Sequence, residues 1–289
     1  MTMALRIVPR RILQGRVLAG AAIVLIVAGA AVFAPLLAPH DPEEQNMLGT
    51  LLPPFWAAGA DPAFPLGTDS LGRCILSRLV YGARVAIAVA CFASLGAMVL
   101  GASLGHIAGY FRGRIDWLIS RFVEVWMSFP PVVLALILMT GLGVGLSNVI
   151  FAIILVDWTR FCRVLRADAM GVATRDYVAA ARLLGFSHTR TMVREVLPAT
   201  MPLLLTLLSI EAGVAVIVEA ILSFVGYSVE ANRPAWGQMI ADARQTIYQN
   251  PWNLILPILC IFVTVLGFNL LGDGLRRTLD VRLTETRRD

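Results

Sequence analysis

The stretch YVAAARLLGFSHTRTMVREVLP, residues 177–198, is a basic, alanine-rich segment between two segments apolar enough to cross a bilayer. Of the 289 residues in the chain, 58% are apolar and only 15% are charged, and the mean hydropathy is +0.76. A helix needs about 20 apolar residues to cross a hydrocarbon core of roughly 30 Å. Six blocks approach or exceed that length: residues 17–37, 85–110, 117–142, 147–161, 201–227 and 252–271. The composition therefore predicts an all-α integral membrane protein with six transmembrane helices and a kink in the third at Pro130-Pro131.

The distribution of arginine predicts the orientation of the chain. The sequence contains no lysine, so all 24 basic residues are arginine. Nineteen of them precede the first span, follow the sixth, or lie around the 2/3 turn and the 4/5 loop, and five lie on the opposite side. Cytoplasmic loops carry the excess of basic residues. Both termini and residues 177–198 are therefore predicted to be cytoplasmic, and the pI of about 9.4 needs no nucleic-acid partner to explain it.

The residues that several kinds of catalysis require are missing. Without lysine the chain has no P-loop, kinase site or pyridoxal site. Its four cysteines and three histidines are scattered, with no disulfide framework and no metal-ligand spacing. We therefore predict no catalytic residue, metal or cofactor, and expect any ATP hydrolysis to take place on another polypeptide.

Residues 174–198 have the capping residues of two short helices. Thr174 is predicted to cap a helix whose first turn carries Asp176 and which Gly185 ends. Ser187 is predicted to cap a second helix, residues 188–197, with Pro198 at the turn into the fifth span. The alternative is a solvated connector, but unstructured connections of nearly 40 residues are uncommon. The pattern indicates a rigid cytoplasmic hairpin.

The same residues resemble a known motif. Ala179-Ala180-Ala181, then after three residues Gly185, and later Val196-Leu197-Pro198, resemble the "EAA" loop of ABC importer permeases, with Ala179 where that family has Glu. In that family the loop's coupling helix docks into a groove on the ATPase subunit. The resemblance implies a coupling function for Ala179, Ala180, Ala181, Arg182, Gly185, Ser187, Arg190, Leu197 and Pro198. Without the glutamate, docking is expected to rely on shape and on Arg182 and Arg190.

Three further stretches narrow the resemblance to the second permease subunit of the peptide and nickel branch. PLGTDSLGRCILSRLVYGARV, residues 65–85, is similar to that branch's Leu-Gly-Thr-Asp-x-Leu-Gly-Arg-Asp signature, with Cys74 in place of the last Asp. EAILSFVGYSV and AWGQMIADAR resemble its fifth span and the following loop, and FNLLGDGLRRTLDVRL, residues 268–283, resembles its C-terminal signature.

The resemblance implies a type I ABC importer permease fold and a non-catalytic subunit that translocates peptides, or a related small solute such as nickel, across the bacterial inner membrane. The implied partners are a second, homologous permease, two ATP-binding subunits, an extracytoplasmic solute-binding protein and membrane lipid. The sequence itself does not identify the substrate.

The expected organisation follows from the spans. Residues 1–16 and 276–289 are cytoplasmic tails, residues 17–37 the first transmembrane helix, and residues 85–275 a core permease domain with a coupling loop at 162–200. Residues 38–84 form an extracytoplasmic loop. In that loop Leu71, Ile75 and Leu79 make one apolar stripe, which is typical of an interfacial helix. A plain extension of the second span is the alternative.

Polar and small residues inside the spans have two readings each. Gly101, Gly105 and Gly109 recur every four residues, so another helix can approach them closely, either within the chain or in a heterodimer. Glu211 and Glu219 lie in the middle of the fifth span, where carboxylates are costly. They either line a translocation path or pair with another span.

Two other functions are alternatives to an ABC permease. A self-contained secondary transporter or channel predicts broken helices in matching internal repeats, and none is found in the sequence. A membrane-bound enzyme predicts a cluster of nucleophile, base or metal ligands, and the sequence has none.

Overall fold

A computed structural model describes residues 15–227, 229 and 233–279, and these residues form an all-helical protein. The predicted cytoplasmic tails therefore lie almost wholly outside the described residues. The helices are α1 (Gly15–Val32), α2 (Ala34–Leu37), α3 (Ile75–Phe111), α4 (Gly113–Met127), α5 (Pro131–Leu142), α6 (Leu146–Val172), α7 (Asp176–Leu183), α8 (His188–Thr191), α9 (Leu197–Phe224), α10 (Trp236–Ala243) and α11 (Trp252–Leu279). A π-helical turn, Met192–Val196, joins α8 to α9, and a 3₁₀ turn, Arg244–Thr246, follows α10.

Four described helices are long and apolar enough to cross a membrane, and a bent pair raises the number to five. The four are Gly15–Val32, Ile75–Phe111, His188–Phe224 and Trp252–Arg276. The bent pair is α4 and α5, whose axes differ by 86°. The helix α6 covers the fourth predicted span but is not among these candidates, and it carries Asp157, Arg160 and Arg163 among its apolar residues.

The third predicted span, residues 117–142, is broken in the structure. α4 ends at Met127 and α5 begins at Pro131, so the predicted kink at Pro130-Pro131 is confirmed and is sharp enough to separate two helices. Proline has no amide hydrogen to continue the helical bonding and disfavours helical geometry in the residue before it. The sequence indicated the position of this break but not its angle.

The second predicted span is longer than expected, because α3 begins at Ile75 and its 37 residues extend about 55 Å. Residues 75–84 therefore extend the span, and the separate interfacial helix that the apolar stripe predicted is absent from this part of the structure. Leu71 lies before the helix, because Asp69 Oδ1 accepts the backbone amides of Leu71 and Arg73, each at 2.9 Å, and holds the chain in a turn.

The glycines of α3 form the contact with α6, which confirms packing within the chain. A Cβ atom at Gly101 would lie 2.1 Å from the carbonyl oxygen of Trp158, and one at Gly105 would lie 2.7 Å from that of Cys162. Any side chain there would force the helices apart. The buried core continues on both sides of this contact, between α3, α6 and α9.

Candidate functional site

The first helix of the predicted coupling hairpin is α7, Asp176–Leu183. Its inner face packs against the protein: Val178 is buried in one cluster with Ala169 and Val172 of α6 and with Val196. Asp176 lies in the first turn as predicted, but Thr174 does not cap the helix. The Thr174 hydroxyl instead donates to the carbonyl of Gly171 at 2.8 Å, because it still lies within reach of the preceding helix end.

Gly185 ends α7 in the left-handed backbone conformation that the sequence predicted, with φ +85°. The amide of Gly185 donates to the Arg182 carbonyl at 3.0 Å, and the amide of Phe186 donates to the Ala181 carbonyl at 3.2 Å. These two bonds make a Schellman motif, which satisfies carbonyl groups at the end of the helix. The hairpin therefore has a fixed turn.

The second helix begins at the predicted residue, but it does not end where the sequence suggested. The Ser187 hydroxyl accepts the amide of Arg190 at 3.3 Å and caps α8. From α8 the helix runs through the π turn into α9 without a break, so His188–Phe224 is one continuous helix. Pro198 therefore marks no turn, which corrects the prediction.

The π turn explains how the helix tolerates Pro198. In this turn the Leu197 amide bonds to the Met192 carbonyl, five residues back rather than four. Pro198 follows directly after this turn, so the amide hydrogen that proline lacks falls where the regular four-residue bonding is already interrupted. The hairpin and α9 are thereby joined in one continuous helix, which also contains Pro202.

The outer face of the hairpin carries two apolar side chains that sequence reasoning did not single out. Leu183 is 89% exposed and Leu184 is 79% exposed, and they directly precede Gly185. Ala179 and Ala180 are also exposed, whereas Ala181 is buried. Helical spacing could have found Leu183, because it lies five residues after the buried Val178 and so about 140° around the helix.

Polar contacts connect the hairpin to the end of α3. Arg182 Nη2 lies 2.8 Å from His188 Nε2, and His188 Nδ1 lies 3.2 Å from the Tyr110 hydroxyl. Because a guanidinium can only donate, His188 Nε2 is the acceptor and a neutral His188 carries its proton on Nδ1. Arg190 lies 4.0 Å above the ring of Phe186. Arg182 and Arg190, the two arginines that the sequence analysis named for docking, therefore both make contacts that stabilise the hairpin.

The two intramembrane carboxylates lie in α9 and have protein partners. Glu211 is 5% exposed, and Arg160 of α6 donates to its Oε2 at 3.1 Å. Glu219 is 2% exposed and accepts a hydrogen bond from Ser223. For Glu211 the structure shows an ion pair with another helix, α6, in agreement with the second of the two predicted alternatives. Within the described residues no cluster of three or more metal-ligating side chains occurs.

Comparison with known proteins gives two family matches. Residues 101–285 match the family described as binding-protein-dependent transport system inner membrane component. Residues 16–54 match the N-terminal transmembrane domain of oligopeptide transport permease C. Together the two matches extend over most of the chain, including the hairpin.

Individual relatives agree with these matches. The di/tripeptide transport system permease protein DppC of Pseudomonas aeruginosa (strain UCBPP-PA14) is 39% identical over 266 residues, which cover 92% of this chain and 88% of that protein. The nickel transport system permease protein NikC of Escherichia coli (strain K12) is 38% identical over 245 residues, covering 85% of this chain and 86% of that protein. A solved structure of the MetNI methionine ABC transporter in inward-facing conformations aligns with a TM-score of 0.60 at 18% identity, over 71% of this chain and 97% of that chain, and shows a similar fold.

Proposed function

The chain belongs to the binding-protein-dependent inner-membrane transport components, in the oligopeptide permease C branch, and from that premise we propose that its hairpin of residues 176–197 docks the ATPase subunit of the importer. The chain is a multi-pass inner-membrane protein and a non-catalytic permease subunit of an ABC importer for dipeptides, oligopeptides, glutathione or nickel. A system of this kind implies ATPase and binding-protein partners.

The observation that carries the docking proposal is the exposed apolar pair at the turn. Leu183 and Leu184 directly precede the turn at Gly185 and are more exposed than the other large apolar side chains of the hairpin, Tyr177 at 41% and Val193 at 50%. Burying one leucine side chain in a protein groove stabilises a complex by about 1.5–3 kcal/mol. An apolar groove on the ATPase that covers both leucines therefore supplies much of the docking energy, and Arg182 and Arg190 hold the shape of the hairpin.

The structure of the hairpin supports a mechanism for coupling. A displacement of the docked turn passes directly into α9 through the continuous helix, and into α3 through the contact between His188 and Tyr110. ATP-driven closure of the ATPase subunits then moves both helices as rigid bodies and switches the permease between inward-open and outward-open states. Glu211 and Glu219 remain candidates for the translocation path, next to their partners in α6 and α9.

The finer features of the subunit are part of the same proposal. We infer six spans, with the bent pair α4/α5 as the third and α6 as the fourth, both termini in the cytoplasm, and lipid around the bundle. We further infer that the chain pairs with a homologous second permease and two ATP-binding subunits. The arginine distribution supports the orientation.

Leucine substitution tests the docking surface. We expect Leu183→Ser with Leu184→Ser to lower recovery of the ATPase subunits at least tenfold when the complex is purified from membranes, because the apolar contact is lost. Leu48→Ser is the matched control, since Leu48 is fully exposed in the outer loop. Unchanged ATPase recovery with the double variant would contradict the proposal.

Transport by the reconstituted complex tests the function itself. Vesicles that contain this permease, its partner permease, the ATPases and the binding protein should take up di- and tripeptides, or Ni²⁺ chelates, only when ATP is supplied. Uptake by this chain alone, driven by a proton or sodium gradient, would favour the secondary-transporter alternative.

A further inference from the structure

Four charged side chains, of which Asp69, Arg73 and Arg78 are buried and Asp242 is 34% exposed, form a cluster at the outer end of the molecule. Arg73 binds Asp69 at 2.6 Å and Asp242 at 3.1 Å. Arg78, whose side chain is only 1% exposed, lies 3.7 Å from Asp69 and 3.9 Å from Asp242. Asp69, Arg73 and Arg78 belong to residues 65–85, and Asp242 belongs to α10. Two carboxylates and two guanidinium groups make the cluster electrically neutral.

Beside this cluster is a small, partly open space of about 10 Å³, lined by Asp69, Arg78, Asp242 and Asn253 among others. Two of the residues that line it each have one buried polar atom with no hydrogen-bond partner in the described part of the chain: Arg78 Nη2, a donor, and Asn253 Oδ1, an acceptor. A space of about 10–15 Å³ holds one water molecule when two or more polar groups can bind it.

We propose that one ordered water molecule occupies this space and completes the cluster, so that residues 68–78 act as an internal clasp that fastens the outer loop to α10 and α11. Water fits because it both accepts from Arg78 Nη2 and donates to Asn253 Oδ1. An anion would be repelled by two carboxylates and by the Asn253 oxygen. A cation would be repelled by Arg78 and Arg73, and the cluster needs no counter-charge.

Further hydrogen bonds show what the clasp holds. The Asn253 side-chain amide, in α11, donates to the Thr68 carbonyl at 3.1 Å. The Thr68 hydroxyl donates to the Gly49 carbonyl at 2.6 Å and accepts the Leu52 amide at 2.9 Å. Asn250 donates to the Leu52 carbonyl at 3.0 Å. Residues 49–78 are thus held by hydrogen bonds to the start of α11 and to the residues just before it.

The clasp assigns a structural function to the Leu-Gly-Thr-Asp stretch. Its charged groups form ion pairs with one another and hydrogen bonds with the water, so they are not available to bind a transported solute. The outer loop then presents a surface of constant shape toward the extracytoplasmic side while the cytoplasmic hairpin moves. This inference depends on neither the substrate nor the ATPase docking site.

Direct observation tests the water site. A high-resolution cryo-EM map of the assembled importer in lipid nanodiscs should show one density peak about 3 Å from both Arg78 Nη2 and Asn253 Oδ1. A map that resolves these side chains but shows no density peak between them would overturn the proposal. So would a peak that strengthens when chloride in the buffer is replaced by bromide, because the occupant would then be an anion.

Substitution at Ala243, a buried residue that lines the space, tests the role of the water. Ala243→Ser brings a hydroxyl that can replace the water, so hydrogen exchange of amides 65–79 in the assembled importer should stay within about twofold of the unsubstituted protein. Ala243→Val displaces the water and leaves the two atoms Arg78 Nη2 and Asn253 Oδ1 without hydrogen-bond partners, so exchange should rise about tenfold or more. Equal exchange in the two variants would refute the water's role.

A second pair of variants tests the clasp without filling the space. Asp242→Asn leaves two guanidinium groups with one carboxylate, and exchange of amides 65–79 should again rise about tenfold. Asp273→Asn is the matched control, because Asp273 pairs with Arg16 at 4.0 Å on an exposed surface. An Asp242→Asn effect no larger than that of Asp273→Asn would show that the cluster does not fasten the loop.

Discussion

Gly185→Ala should weaken the coupling hairpin by backbone strain alone. Gly185 has φ +85°, and a Cβ atom built there meets nothing within 4 Å. The substitution therefore causes no collision, and its whole cost is that of a side chain in the left-handed region, about 1–2 kcal/mol. About 1.4 kcal/mol is a tenfold change in an equilibrium constant. The ratio of hairpins with an intact turn at residue 185 to hairpins in which that turn has opened should therefore fall roughly five- to thirtyfold. Gly185→Val should be worse, because its branched side chain restricts the backbone further.

Hydrogen exchange and transport together measure this effect. The amides of Gly185 and Phe186, which bond to carbonyl groups of α7, should exchange faster by the same factor in the assembled importer. The Gly185→Val variant should insert in the membrane and pair with the second permease normally. Less ATPase should co-purify with it, and the complex should no longer take up substrate.

Gly171→Ala is the control for this series. Gly171 lies near the end of α6, has no neighbour within 4 Å of a Cβ atom and does not have a positive φ. Alanine in a helix is about 1 kcal/mol more favourable than glycine, so the same chemical change should here slow exchange slightly and leave uptake intact. Equal effects of the two alanine variants, or normal uptake by Gly185→Val, would refute the reasoning.

Three other predictions test the hairpin surface, the intramembrane pair and the orientation. Ala179→Glu should leave substrate-stimulated ATP hydrolysis nearly unchanged, because Ala179 is exposed and a surface pair with a nearby arginine adds only about 0.3 kcal/mol; a large gain in hydrolysis would show that the native loop couples weakly. Arg160→Met should lower the stability of the complex by about 2–3 kcal/mol in thermal unfolding, because it leaves Glu211 buried without its ion pair, and adding Glu211→Gln should restore most of the loss; no recovery in the double variant would argue against the pair. In a variant whose four cysteines are replaced by serine, a cysteine at Glu44 should react with an impermeant thiol reagent in intact cells and one at Thr189 should not; the reverse labelling would overturn the orientation.

Local chemistry made part of the hairpin predictable from the sequence. Gly185 and Ser187 act through bonds to residues within a few positions of themselves, so their functions as helix end and helix cap were predictable. The spacing of Gly101 and Gly105 likewise indicated a close helix contact. Each of these features depends on residue type and helical period, which the sequence contains directly.

The features that the sequence did not predict depend on the backbone geometry of the folded chain and on one contact between distant segments. Ile75 and Leu79 continue a helical period back to Leu71, but Asp69 captures the backbone amides there and delays the helix. Pro198 is a helix-breaking signal by type, and only the π turn before it shows why the helix continues. The partner of Glu211 lies 51 residues away on another helix. Such choices depend on the folded structure.

The unbroken helix from His188 to Phe224 has a mechanical consequence. Its 37 residues extend about 55 Å, with the turn at Gly185 near one end and Phe224 at the other. A tilt of about 5° around its midpoint displaces each end by about 2 Å in opposite directions. Shifts of that size at an ATPase surface are ordinary for packed helices. In the proposed docking arrangement, an inward push by the ATPase on the end near Gly185 would therefore swing the Phe224 end outward on the opposite side of the membrane.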